Sequence, residues 1–151
     1  MTKEMIRIGN CSGFYGDKLS VAKDMVEGGP IDVLTGDYLA ELTMTILYNQ
    51  KIKRGEDHGY VGTFLKQFKD VAKSTQEKNI KIVSNAGGLN PKAMALEVEK
   101  IIDELNLKLK VAYIEGDDLI PEFQKLSEAG EKFKNLDLSL IHISEPTRLR
   151  T

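Results

Sequence analysis

Short apolar runs alternate with amphipathic stretches along most of the chain. The runs at 5–9, 31–34, 80–83 and 109–114 are rich in Ile, Val and Leu and predict strands. Between them, apolar positions recur at three- and four-residue steps. Leu19, Ala22, Met25 and Val26 predict a short helix, capped by Asp17 and stopped by Gly28, Gly29 and Pro30. Leu39, Leu42, Ile46 and Leu47 predict a second helix over 38–50. Val61, Phe64, Leu65, Phe68, Val71 and Ala72 predict a third over 60–78, whose other face reads as Lys, Gln and Asp. Met94, Val98, Ile101, Ile102 and Leu105 lie on one side of a fourth, with Asn90 as its cap and Pro91 at its first position. A last helix is expected over 121–130, with Phe123 and Leu126 turned inward.

The resulting order, β-α-β-α-α-β-α-β-α, predicts an α/β protein. The expected architecture is a mostly parallel sheet of about four strands with helices on both faces, a Rossmann-like three-layer arrangement. Strand–helix units of this length equally suit the first half of a (β/α)8 barrel. The paired helices after the second strand favour the open sheet.

Right-handed crossovers bring the strand exits to one edge, where open α/β sheets bind ligands. The exits are Asn10-Cys11-Ser12-Gly13, Thr35-Gly36-Asp37, Ser84-Asn85-Ala86-Gly87-Gly88 and Glu115-Gly116-Asp117-Asp118. Each holds a glycine and at least one polar side chain. A strand, a glycine turn and a helix start also gather unpaired N–H groups, which suits an anion. The candidate ligand-binding residues are therefore Asn10, Ser12, Gly13, Thr35, Ser84, Asn85, Gly87, Gly88 and Asn90. Asp37, Glu115 and Asp117 are the candidate catalytic carboxylates, since crowded carboxylates can serve as general acid or base. The same groups could hold Mg²⁺ against a phosphate or a CoA tail. Each Asp is also a good helix cap, so a purely structural role competes at every position.

Composition narrows the classes. The chain has 151 residues, 41% hydrophobic and 29% charged, and 21 Lys and Arg balance 23 Asp and Glu for a net charge of −2. No basic face is implied, which argues against a nucleic-acid partner. Cys11 is the single cysteine, so no internal disulfide framework exists. No apolar run approaches the roughly 20 residues that span a membrane, and the N-terminus does not read as a signal peptide. A cytoplasmic protein without a membrane partner is expected.

Other motifs fit less well. Gly9, Gly13 and Gly16 follow a strand, and Asp37 lies 21 residues further on, but the spacing is not that of a dinucleotide-binding loop. Ser84-Asn85-Ala86-Gly87 is similar to the Asn-Ala-Gly signature of short-chain dehydrogenases, yet no tyrosine precedes a lysine by four residues. A nucleotide-binding oxidoreductase is therefore a weaker alternative. Cys11 at a strand exit could be a nucleophile, but no histidine partner is evident and a small buried thiol is the commoner outcome. His58, in a charged connector, is expected to be solvated.

These segments together resemble the acyclic terpene utilisation (AtuA-type) family. The resemblance rests on 6–17, with Asn10-Cys11-Ser12-Gly13, on 27–44, with Thr35-Gly36-Asp37, on 82–91, with Ser84-Asn85-Ala86-Gly87-Gly88, and on 115–118. It runs from about Ile6 to about Asp137. It implies a protein of the breakdown of terpenes such as citronellol and geraniol, or of branched acyl-CoA compounds. It supplies no agreed reaction and no assigned catalytic residue. The leading expectation is an enzyme or enzyme subunit that binds an anionic small molecule at the carboxyl edge, with a CoA thioester as one form of the substrate. The competing expectation is a non-catalytic binding or assembly subunit. Homo-oligomerisation and the cofactor are left open. The stretch 139–149 is similar to a sequencing-adapter translation found at the ends of unrelated metagenomic reading frames. Residues 1–137 are thus expected to be an incomplete N-terminal α/β domain, 138–151 a non-native tail, and the natural chain longer.

Overall fold

A computed structural model describes residues 5–132. Three short strands form a parallel sheet: β1 (Ile8–Asn10), β2 (Val33–Gly36) and β3 (Lys81–Ser84), side by side in chain order. The register aligns Gly9 with Leu34 and Ile82, and Asn10 with Thr35 and Val83. Helices α1 (Val21–Gly28), α2 (Glu41–Arg54), α3 (Gly62–Glu77) and α4 (Pro91–Glu104) make the connections or follow the last strand. The chain divides after Glu115 into two compact units. Among the described residues, the second holds a 3₁₀ turn (Ile120–Glu122) and the short α5 (Phe123–Glu128).

Strand alternation sends one row of side chains to the helices and the next row away from them. Leu34 packs with Ala22 and Val26 of α1 and Val71 of α3. Ile82 touches this cluster and also the larger one built from Tyr38, Leu47, Phe64, Phe68, Val98 and Ile102. Gly9 continues that row: a Cβ there would stand 2.8 Å from Met25, so glycine lets α1 lie directly on the strand. The opposite row is bare. Ile8 is 66% exposed and Val83 61%. The described residues thus make two layers, with helices on one face, where helices on both faces were expected.

The predicted fourth strand is not one. Residues 109–114 form no ladder with the described sheet. Leu107, Leu109 and Val111 do turn to the core while Lys108 and Lys110 face outward. The alternation reflects this one-sided packing and not strand pairing, which needs a neighbouring backbone as well. Consecutive strand order with helices on one side is common to half an open sheet and to the start of a barrel. The predicted tail, 138–151, lies outside the described residues.

Two other expectations change. Gln67, read as part of the solvent face of α3, is buried at 2% exposure. His58 is half-buried, and its Nδ1 is shielded without a hydrogen-bond partner.

Candidate functional site

The exits of β1, β2 and β3 converge at the carboxyl edge and are tied to one another by side chains. Thr35 Oγ1 lies 3.2 Å from Asn10 Oδ1 and 3.4 Å from the Gly9 carbonyl, either of which can accept its proton. Asn10 Nδ2 donates to the Ser12 carbonyl at 3.0 Å, and the Asp37 N–H donates to the same carbonyl at 3.0 Å. Asp37 Oδ1 accepts from Asn85 Nδ2 at 2.6 Å and from the Leu39 N–H at 3.3 Å. Asn85 Oδ1 in turn accepts the Tyr38 N–H at 2.9 Å. One oxygen of an exposed carboxylate is therefore fixed by two donors, while Oδ2 takes none among the described residues.

Beneath this edge lies a buried polar group that the sequence did not announce. Tyr38 is 1% exposed and its hydroxyl donates to Gln67 Oε1. Gln67 Nε2 donates to the Lys18 carbonyl at 3.2 Å, so the network links β2's exit, α3 and the loop before α1. Gly36 makes room: a Cβ there would stand 2.6 Å from the Tyr38 ring. The ring of Tyr38 also meets Phe64 edge-on, with centroids 5.9 Å apart. Burial pushes the Tyr38 hydroxyl well above the usual tyrosine range. Cys11, with Sγ 3.9 Å from the Tyr38 hydroxyl, is buried as well, and burial raises its thiol. A nucleophilic thiol needs the opposite shift.

The expected amide cradle is largely engaged within the fold. The Gly13 N–H donates to Asp17 Oδ2 at 2.6 Å, and the same oxygen lies 3.3 Å from both the Phe14 N–H and Ser12 Oγ. Asp17 thus closes the β1 exit loop instead of capping α1. Ser12 is buried. The Gly88 N–H donates to the Asn85 carbonyl at 3.1 Å, and Ser84 Oγ accepts the Ala86 N–H at 3.0 Å. Gly88 has φ +54°, and a Cβ there would meet Leu47 and stand 2.9 Å from the Gly59 carbonyl. At Gly87 a Cβ would stand 2.7 Å from Pro91. Both glycines therefore serve close packing of the turn. Asn90 caps α4, accepting the Ala93 N–H at 3.1 Å, and its amide binds the Glu56 carbonyl at 2.6 Å and the His58 carbonyl at 3.2 Å.

The structure brings Asn10, Thr35, Asp37 and Asn85 together. Glu115 is exposed at the end of the first unit, and Asp117 belongs to the second. Among the described residues no group of three His, Cys, Asp or Glu is placed to hold a metal ion. No helix of the described residues is long and apolar enough to cross a membrane.

These features define a parallel α/β protein with a polar, carboxylate-bearing edge. The model of the acyclic terpene utilisation family protein AtuA matches residues 6–148, and the chain belongs to that family. The match covers all of the described sheet and its exits, and it ends beyond the described residues. No curated protein and no solved structure matches the chain.

Proposed function

We propose that the protein is a catabolic enzyme, or a subunit of one, in acyclic terpene utilisation, and that the carboxyl edge holds the functional head of its substrate. Asp37 is the group that accepts a hydrogen bond or proton from that head, and Asn10 and Thr35 flank it. The observation that carries this reading is the Asn85 bridge. Its side chain fixes Asp37 Oδ1 and the Tyr38 N–H together, and among the described residues Oδ2 takes no donor. A carboxylate held by one oxygen is pre-oriented to act with the other. The Gly13 and Gly88 amides are engaged internally, which leaves most of the recognition at this edge to side chains. The head that suits this group has a proton to give, as an alcohol hydroxyl or the acidic α-carbon of a CoA thioester does.

The test is growth on an acyclic terpene alcohol by a host whose own family gene is deleted and replaced by this one. Asp37→Asn and Asn85→Ala should each slow growth relative to the unaltered gene, at equal protein level and unchanged far-UV circular dichroism. Full growth by both variants removes the edge from the function.

A non-catalytic binding or assembly subunit is the second reading. It is favoured by the packing roles of Gly87 and Gly88 and by the exposed Ile8 and Val83 on the bare sheet face. It predicts that the edge variants grow normally while charged substitutions at Ile8 or Val83 do not.

A further inference from the structure

A second feature sits beside the edge. A cleft of about 530 Å³ runs along α1, from the exit of β1 to the turn before β2. This volume falls within the range of small-molecule sites. Val21, Met25 and Ile31 give it an apolar side, and Asn10, Asp17 and Asp24 supply its polar groups. Asp17 is organised like Asp37: its Oδ2 takes the donors of the β1 exit loop, and its Oδ1 takes none among the described residues. Asp24 Oδ2 accepts from Ser20 Oγ at 3.0 Å and from Lys18 Nζ at 3.3 Å. Among the described residues no Lys or Arg lines the cleft, and the nearby Lys18 ammonium is already paired with Asp24.

We infer that this cleft binds a small branched aliphatic molecule through an uncharged hydroxyl head, and that it discriminates against the carboxylate of the same skeleton. An alcohol donates its proton to a carboxylate oxygen and lays its chain on the apolar side. A carboxylate ligand would bring a like charge to two fixed aspartates and could donate nothing. The inference rests on the proposed role in terpene utilisation for its choice of ligand. Asp37 does not line the cleft, which meets the edge at Asn10.

The test is calorimetric titration of the full chain with a branched terpene alcohol and, separately, with the carboxylate of the same carbon skeleton at pH 7.5. The alcohol should bind at least about tenfold tighter, a difference of roughly 1.4 kcal/mol. Gly29→Phe serves as the blocking variant. Gly29 lines the cleft, its φ is −175°, and a Cβ there meets nothing within 4 Å, so a ring can be placed at the cleft wall without backbone strain. It should abolish alcohol binding. Asp24→Asn, at an exposed position, should narrow the preference over the carboxylate. Equal or tighter carboxylate binding, alcohol binding that survives Gly29→Phe, or no binding of either ligand overturns the inference. The edge reading is judged separately by growth of the Asp37 and Asn85 variants. Normal growth of those variants with intact alcohol binding defeats the edge and leaves the cleft standing.

Discussion

The Asn85 side-chain amide donates to Asp37 Oδ1 at 2.6 Å, joining the exit of β3 to the exit of β2. The two residues are 48 positions apart in the chain, and neither strand reaches the other's exit loop through its backbone ladder. Because the acceptor is a carboxylate, this is one of the stronger kinds of hydrogen bond, and the same side chain satisfies the Tyr38 N–H. Asn85→Ala removes both bonds. It should lower stability by about 1–2 kcal/mol, the range for a lost hydrogen bond with an unsatisfied partner that water can partly reach. Urea denaturation checks this, and a midpoint equal to that of the unaltered protein would show that the bridge holds nothing.

Burial pushes the ionisation of both Cys11 and Tyr38 to higher pH, and this fixes the sign of the alkaline limb. The unfolded chain loses each proton first, so it binds fewer protons than the folded chain and stability falls as pH rises. The decline should begin near the free thiol value, about 8.5, and steepen near the free tyrosine value, about 10. Each group can contribute a slope of up to about 1.4 kcal/mol per pH unit until it ionises in the folded state. Cys11→Ala should remove the first part of the decline and leave the second. Stability that stays level between pH 8 and 11 in the unaltered protein contradicts the assignment.

The strands and the convergence of their exits were legible because strand formers, glycine turns and helical spacing agree along 5–104. The cap of α4 was legible for the same reason: Asn90 and Pro91 have strong positional chemistry, and the structure uses both as expected. The strands β2 and β3 end at Gly36 and Ser84, further on than the apolar runs, because Thr35 pairs with Val83 and Gly36 with Ser84. Pairing depends on the neighbouring strand, which no single segment reveals.

Tyr38 and Gln67 were missed because their roles depend on each other across 29 positions. A signal existed for Gln67: it falls three residues after Phe64 and four before Val71, on the apolar stripe of α3. Its polarity hid it among solvent-facing residues. The run at 109–114 misled in the opposite way, since alternation reports which side is buried and not whether a partner strand is present.

Glycine substitutions should separate packing from freedom. Gly88 combines φ +54° with close approach to Leu47 and the Gly59 carbonyl, so Gly88→Ala must strain the turn or push the connector away. A loss of about 1–3 kcal/mol is expected. Gly28, the last residue of α1, meets nothing within 4 Å of a built Cβ. Gly28→Ala should be neutral or stabilising by up to about 1 kcal/mol, through reduced freedom of the unfolded chain. Thermal melts of the two variants should shift in opposite directions or differ by several degrees. Equal shifts would mean that Gly88 is not held as the structure shows.

Asn90 performs two tasks that can be pulled apart. Its Oδ1 caps α4 at the Ala93 N–H, and its Nδ2 reaches the Glu56 and His58 carbonyls of the connector between α2 and α3. That connector is also stitched to the turn by the Leu89 N–H on the Gly59 carbonyl and the Val61 N–H on the Ala86 carbonyl, both at 2.8 Å. Asn90→Ala should cost about 0.5–2 kcal/mol for the cap alone. It should also speed amide exchange at Ala93 and through the connector. Asn90→Ser keeps a capping oxygen but has no amide to donate to Glu56. Exchange at Ala93 should then return towards its original rate, while the connector amides between Gly55 and Gly59 stay fast. The backbone bonds at Leu89 and Val61 limit this loosening to that span. Should Asn90→Ser protect the connector as well as asparagine does, the amide bonds to Glu56 and His58 contribute nothing, and the backbone pair alone holds the connector on the turn.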